Sequence, residues 1–511
     1  MQKDKFPTAT LKLLQNLEPA SMDATHREEC LAGTRTEINE FVVEWVKNTD
    51  GKRAHNVLLI LGVAGSGKST LSTTIANRMN TMGRLATFLS FERDVSNRSD
   101  PSTVVRTLAY NLGLSQPTVG EVIAQNVEKY PEVTRLPLRS QFQHLLVQPM
   151  TSEGVMDSAS PVVFVLDALD ECGTPDTRET LLELLAEQSI GLPALFVITS
   201  RPLRDICGFF NNRNHVLVQE LDITAEHNND DITRYLKHRM RRIRKKFPSL
   251  HHHKNWPGNE ALRQLVNKAS GLFIWASTAS KFIDQHPPNS RLEIIIQGTS
   301  APTAEHALDS LYQTALEAAG SWDIPEFVTD FRAALGFILV ARRPVPGKVI
   351  ISLLGNTVTE SCIDVISQLA CVLQLDPTIR LLHPSFADFL FDPQRCVRGD
   401  YFFEKGVLHH SLTLMCLKRL DAVLKENTFD LTLSPSLVQI KVPGGLAYAC
   451  MYWIEHVCMA NNSAMIPILH DFLRRHLLHW VEVMSVLSRT RTTMAMLEQL
   501  STWLSVSFRP L

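Results

Sequence analysis

Residues 57–70 read VLLILGVAGSGKST, and the rest of the chain is best understood outward from them. Val57–Leu61 is a short leucine and β-branched run that ends in glycine, the pattern of a buried strand. Gly62, Gly67, Lys68 and Ser69 then satisfy G-x-x-x-x-G-K-[ST], with an apolar strand entering the motif and a helical stretch leaving it from Lys68. Glycines let successive backbone N–H groups curl round a phosphate without Cβ clashes. A helix that starts at Lys68 adds its positive end. Gly62, Val63, Ala64, Gly65, Ser66, Gly67, Lys68, Ser69 and Thr70 are therefore expected to cradle a polyphosphate, with Lys68 on the outer phosphates and Ser69 on Mg²⁺. A chance glycine turn would not carry strand, loop, lysine and helix in register.

A phosphate loop of this kind needs an acid on the metal side. Residues 162–172, VVFVLDALDEC, supply one: Val162–Leu166 reads as a buried strand and Asp167 falls at its carboxyl end, where open α/β sheets bind ligands. Asp167 is the expected Mg²⁺ acid. Asp170 and Glu171 follow within one turn, and either could hold or activate an attacking water, Glu171 first. The alternative for both is simple capping of the next helix, since acids are favoured at a helix start. Residues 194–201, ALFVITSR, read as a further strand. If it neighbours the Asp167 strand, Thr199, Ser200 and Arg201 stand beside that acid, and Arg201 could sense the γ-phosphate; otherwise Arg201 is a surface residue at a strand end. Pro202 stops the strand from pairing further.

Around these motifs the chain alternates apolar runs (Ala86–Phe91, Pro161–Leu166, Ala194–Thr199) with helical segments, which is what a parallel sheet covered on both faces produces. Upstream, residues 1–50 read as a polar lead-in and one amphipathic helix, with Ile38, Phe41, Val42, Trp45 and Val46 at helical spacing. Beyond residue 225 the β signals thin out. Asp230–Lys246 and Asn259–Ile283 read as helices, and Asp284–Thr303, with Pro287, Pro288, Gly298 and Pro302, as a boundary. Val372–Leu375, the turn Asp376–Pro377 and Ile379–Leu382 form an expected hairpin after helices, suggesting a winged-helix module. Residues 401–511 are again helical, with Trp453, Phe472, Trp480 and Trp503 as expected core anchors. The expected fold class is thus an α/β P-loop NTPase with an ASCE-type parallel sheet, followed by helical, winged-helix and helical domains. The expected domains are 1–50 as linker and helix, 51–225 for nucleotide, 226–300 helical, 301–400 winged-helix and 401–511 helical.

Composition narrows the class. With 511 residues the chain exceeds what one core usually holds. Its formal net charge of -2 gives no overall field for nucleic acid, so nucleic acid is not an expected partner. The basic run Arg239–Lys246, RMRRIRKK, reads first as a solvated helix face, and the His251–His253 run lacks a fourth metal ligand at the usual spacing. Nine cysteines are scattered without a close CxxC pair, which fits reduced thiols and a cytoplasmic location. No run reaches the ~18–20 apolar residues of a membrane helix, the longest being Ala333–Ala341, so no membrane contact is expected. The opening MQKDKFPTAT has no apolar core of a secretory signal.

Taken together, GVAGSGKST, LAYNLG at 108–113, LDALDEC at 166–172, TSRP at 199–202, DDITRYL at 230–236, GLFIWASTASKFI at 271–283 and LHPSFADFL at 382–390 resemble the fungal NACHT-domain proteins of the signal-transducing ATPase (STAND) class, with a nephrocystin-3-like N-terminal P-loop domain. CLAGTR at 30–35 resembles that family's lead-in. The resemblance implies ATP/ADP and Mg²⁺ as ligands and the phosphate-loop and acid roles given above, with Arg201 as sensor. It places Gly33–Arg35 against the adenine, with Arg35 as the nucleotide-binding residue, and His383 against the β-phosphate of a resting ADP form; the residues alone make His383 a hairpin-end core histidine. It departs from related domains at Gly271–Leu272–Phe273, where a base-contacting proline is often found. Family members commonly add an effector domain and a repeat array, and neither is recognisable in residues 1–24 or towards Leu511.

The resulting expectation is an ATP/ADP switch with slow Mg-dependent hydrolysis that drives conformational change and self-association in signalling. The competing expectation is a non-signalling scaffold or decoy that holds nucleotide with little turnover. A metabolic kinase fits less well, because the helical half would then be unexplained.

Overall fold

The computed structural model describes residues 8–20, 28–48, 54–93, 95–156, 160–211, 213–298, 301–355, 358, 362–429 and 442–507. The first seven residues of the lead-in lie outside these. Two compact units follow one another along the chain, the first running to Ala307 and the second starting at Leu308.

The first unit is built on five parallel strands: β1 (Val57–Leu61), β2 (Leu85–Ser90), β3 (Val162–Asp167), β4 (Ala194–Ser200) and β5 (Val216–Glu220). Their order across the sheet is β2-β3-β4-β1-β5. β4 therefore stands between the strand that feeds the phosphate loop and the strand that ends in Asp167, the insertion that marks the ASCE arrangement. The three central strands are buried along their whole length, as a sheet covered on both faces requires. Alternate residues serve opposite faces. Val57, Leu59, Phe164, Leu166, Phe196 and Ile198 enter one core, where Phe164 and Phe196 stack at 5.0 Å. Leu58, Ile60, Val163, Val165, Leu195 and Val197 enter the other, against Leu71, Ile75 and Met79 of the helix Lys68–Thr81.

The expected strands and the helix Thr36–Lys47 are present, with Val42 and Val46 buried in the second core. Two readings change. The lead-in is not merely polar: the helix Thr8–Gln15 is followed by Leu17, and Leu14 and Leu17 are fully buried in the first core. β5 carried no recognisable signal, because an edge strand buries only part of itself and Val216–Glu220 alternates between covered and solvated positions. The segment expected as a boundary contains a helix, Pro288–Gln297.

In the second unit the helix Pro325–Val340 buries most of the Ala333–Ala341 run. A short antiparallel pair, β6 (Leu373–Gln374) with β7 (Arg380–Leu381), stands where the hairpin was expected, and Val345 bridges to Ile379 beside it. Helices Lys405–Val423, Gly444–Ala460, Ile466–Val486 and Thr490–Ser507 complete the unit. Trp453 packs edge-on against Phe472 and Trp480, with centroids 5.3 and 5.7 Å away. All nine cysteines are free thiols. Among the described residues no helix is long and apolar enough to cross a membrane.

Candidate nucleotide-binding site

Parallel strands in this register end together. Leu61 is level with Ser200 and Glu220, and Ser90 with Asp167, so the phosphate loop, the acid and the end of β4 share one edge of the sheet. The loop is tied to β4 at its start, where Gly62 N–H donates to the Ser200 carbonyl at 3.1 Å. Gly65 and Gly67 both lie in the left-handed region, at φ of 79° and 93°, where a side chain is strained. A Cβ on Gly65 would also fall inside the Ile274 side chain. The helix Lys68–Thr81 begins directly after Gly67.

Lys68 folds back over the loop. Its Nζ donates to the carbonyls of Gly62 and Val63 at 2.8 and 2.9 Å. Burial brings its amine down to about 8, nearby Arg201 adds to that, and Asp170, Asp167 and Glu171 work against it. A cation so placed is matched by a polyanion. Ser66 Oγ is buried and has no hydrogen-bond partner among the described residues. A glycine cradle, a buried lysine, a helix start and an orphaned hydroxyl together fit a phosphate group.

Asp167 is fully buried and oriented by hydroxyls from three elements. Ser72 Oγ donates to its Oδ1 at 3.0 Å, Thr199 Oγ1 to the same oxygen at 2.8 Å, and Ser90 Oγ to Oδ2 at 2.9 Å. Ser69 itself is exposed at the start of the helix. Carboxylate and hydroxyl oxygens suit a hard cation such as Mg²⁺, and Ser69 and Asp167 are the residues that would hold one.

The acidic turn is set by one unusual residue. Ala168 adopts φ 60°, and the 3-10 turn Leu169–Glu171 follows. Asp170 is bound by Arg201 twice, through the backbone N–H at 3.0 Å and through Nε at 3.1 Å. Arg201 is thus beside the site, as neighbouring strands allow, but its Nε is on Asp170. Glu171 accepts the Arg93 N–H at 3.3 Å. Burial first, then the charge of Asp170, pushes the Glu171 carboxyl up to about 8, against Arg93 and Arg201.

Beneath the turn lies Arg178, a residue the sequence reading passed over. Its Nη1 donates to the carbonyls of Asp170, Cys172 and Gly173 at 3.2, 3.4 and 3.3 Å, while its other nitrogens meet Asp205 at 2.6 Å. A usable signal was present: Arg178 shares a helical stripe with Leu181, Leu182 and Leu185, and a charge on an apolar stripe asks for a partner.

Arg35 is 6% exposed and reaches the phosphate loop itself. Its Nη2 donates to the Ser66 carbonyl at 2.8 Å and to Asn228 Oδ1 at 2.7 Å. The guanidinium lies 5.0 Å from the Phe273 ring centroid. His383 belongs to the second unit. There it caps the helix Pro384–Phe391, its Nδ1 accepting the Ser385 N–H at 3.1 Å and lying 2.6 Å from Ser385 Oγ, which in turn meets the Tyr312 hydroxyl at 2.7 Å. The basic run Arg239–Lys246 closes the helix Glu226–Lys246, with Met240 and Ile243 turned inward and Arg241, Arg242, Lys245 and Lys246 exposed. Among the described residues no cluster of histidine, cysteine or carboxylate side chains forms a ready metal site.

Comparison with known proteins finds one family model and several solved structures similar to this chain. The family model described as Nephrocystin 3, N-terminal, matches residues 38–201, which spans β1 to the end of β4. Among solved structures the chain is similar to a Walker-type ATPase of Pyrococcus abyssi (14% identity, 71% of this chain and 98% of that one, TM-score 0.36). It is also similar to the ORC2 protein of Aeropyrum pernix in ADPNP-ADP complexes (12%, 72% and 96%, TM-score 0.32). A third is Cdc6p from Pyrobaculum aerophilum (12%, 78% and 98%, TM-score 0.33). No curated protein matches the sequence.

Proposed function

We propose that this chain is a nucleotide-operated molecular switch of the NACHT type in the signal-transducing ATPase class, acting in the cytoplasm. The observation that carries the reading is the convergence at one sheet edge of the Gly62–Thr70 loop, Asp167, the Asp170–Glu171 turn and Arg201. Lys68 and the loop amides grip the phosphates, and Ser69 with Asp167 holds Mg²⁺, which supplies charge neutralisation at the outer phosphates when bound. Residues 226–300 form a helical domain, 301–400 a winged-helix domain and 401–511 a further helical domain. His383 carries the β-phosphate role that the resemblance implies for the resting ADP state, and the ATP state self-associates.

The energies suffice. Reversing a 1:99 population takes about 5.5 kcal/mol of differential affinity, and hydrogen bonds to charged groups contribute roughly 1.5–3 kcal/mol each. Two or three γ-phosphate contacts are enough. Arg201, whose Nε bonds Asp170 at 3.1 Å, is the strand-end residue that senses the γ-phosphate in this reading. Glu171, once deprotonated, orients and activates the attacking water, and slow hydrolysis resets the switch.

One observation favours a second reading, a scaffold that holds nucleotide with little turnover. A carboxyl pushed up to about 8 is mostly protonated at neutral pH and is a poor base there. Turnover by the full chain, compared with Glu171→Ala, separates the two. A rate that rises through pH 8 and is lost in the variant supports the switch; equal rates in both proteins support the scaffold. The particle size with and without Mg·ATP tests self-association, and an unchanged size contradicts it.

A further inference from the structure

A phosphate loop binds through N–H groups, so its carbonyls have to be held pointing away. In a planar trans peptide the C=O of one residue and the N–H of the next point in opposite directions. Whatever fixes a carbonyl therefore aims the following N–H. Two carbonyls of this loop are fixed by groups from far along the chain. The Gly65 carbonyl accepts the Ile274 N–H at 3.1 Å, which sets the Gly65–Ser66 peptide. The Ser66 carbonyl accepts Arg35 Nη2 at 2.8 Å, which sets the Ser66–Gly67 peptide and so the direction of the Gly67 N–H.

Arg35 is itself held from several sides. Its backbone N–H donates to Asp231 Oδ2 at 2.8 Å, its Nη2 also reaches Asn228 Oδ1 at 2.7 Å, and Phe273 lies against the guanidinium. Asn228 in turn donates to the carbonyls of Ile223 and Gly271 at 2.9 and 3.0 Å. One side chain thus ties the phosphate loop to the helix Glu226–Lys246 and to the turn before the helix Phe273–Ile283. Arg35, Asn228 and Ile274 all lie outside the segment matched by the family model, residues 38–201.

We infer that Arg35 is a positioning residue of the phosphate site, acting through the Ser66 carbonyl and oriented by Asn228, and that this pair couples the loop to the helices after residue 225. The inference rests on the nucleotide-binding reading above. Arg35 is not required to touch the base: its work is done on the loop main chain. Because the same guanidinium bonds both loop and helix, phosphate entry at the loop is felt at Asn228 without a contact between nucleotide and helix.

The test is titration of ADP into the full-length chain by calorimetry, using wild type, Lys68→Ala, Arg35→Gln, Arg35→Lys, Asn228→Ala and the Arg35→Gln/Asn228→Ala double variant. Arg35→Gln is expected to weaken ADP binding about tenfold. Arg35→Lys, which can still donate to the Ser66 carbonyl, is expected to recover most of that loss. The double variant is expected to bind no worse than Arg35→Gln alone, since both act through one bond. Arg35→Gln within twofold of wild type, or strictly multiplicative losses in the double variant, overturns the inference while a loss in Lys68→Ala leaves the nucleotide reading standing. Should Arg35→Gln fail to fold, Arg35→Lys and Asn228→Ala decide: both within twofold of wild type overturns the inference, and a larger loss for Asn228→Ala than for Arg35→Lys supports it. A wild type that binds no ADP, or a Lys68→Ala that binds as wild type does, overturns the nucleotide reading and this inference with it.

Discussion

Glu171→Gln is expected to stabilise the nucleotide-free protein at neutral pH, and by an amount that depends on pH. In the fold the carboxyl is pushed up to about 8 from an ordinary 4.5, chiefly by burial. Between those values the folded chain keeps a proton that the unfolded chain has released. Stability from this group is therefore greatest below pH 4.5 and falls as pH rises towards 8. Glutamine carries no such proton, so the variant gains on the wild type across the same window. At about 1.4 kcal/mol per unit, pH 7 corresponds to a ceiling of about 3 kcal/mol. The residue is only half-buried, and partial hydration reduces that to about 1–2 kcal/mol. The amide oxygen still accepts the Arg93 N–H. Amide exchange along Val162–Asp167 reads the opening free energy of the nucleotide unit directly. The variant's excess is expected near zero at pH 4.5, rising through pH 7 and level above pH 8. A difference that does not change with pH, or a variant less stable at pH 7, refutes the reasoning. A residue whose removal stabilises the protein is one kept for work, and turnover should be lost in the same variant.

Lys68, brought down to about 8 in the nucleotide-free protein, regains its charge beside a polyphosphate, so ADP affinity is expected to fall about tenfold per pH unit above 8. Proton uptake on binding at pH 8.5, measured in two buffers of different ionisation heat, checks this, and no uptake contradicts it. Gly65→Ala places a methyl group in the space of Ile274 at a left-handed φ, which is expected to cost about 1–3 kcal/mol and nucleotide binding with it; thermal unfolding and ADP titration both read it. His383→Ala is expected to speed ADP release severalfold, seen by stopped-flow chase, and an unchanged rate removes His383 from the switch.

Most of the sheet was legible because its central strands are continuous apolar runs, each ending in a polar or glycine signal, as in Val57–Leu61 and Val162–Asp167. β5 was not, since an edge strand half in water has no such run. In the site, the residues legible from sequence were those fixed by local spacing: the loop, Lys68 and the aspartates. The residues that hold them come from distant positions and carry no local pattern. Ser72 and Ser90 orient Asp167 from two elements, Arg178 holds the acidic turn from below, and Asn228 meets Arg35 across 193 residues of chain. Arg35 shows the difference most plainly. It lies outside the loop motif, at position 35, and its guanidinium is directed at the Ser66 carbonyl of the loop.

Mass spectrometry of the small molecules released from purified, denatured full-length chain tests the central claim most directly. Wild type is expected to release ADP or ATP near one per chain and Lys68→Ala close to none. Equal occupancy in the two proteins, or no nucleotide recovered from wild type even after incubation with Mg·ATP, contradicts the account.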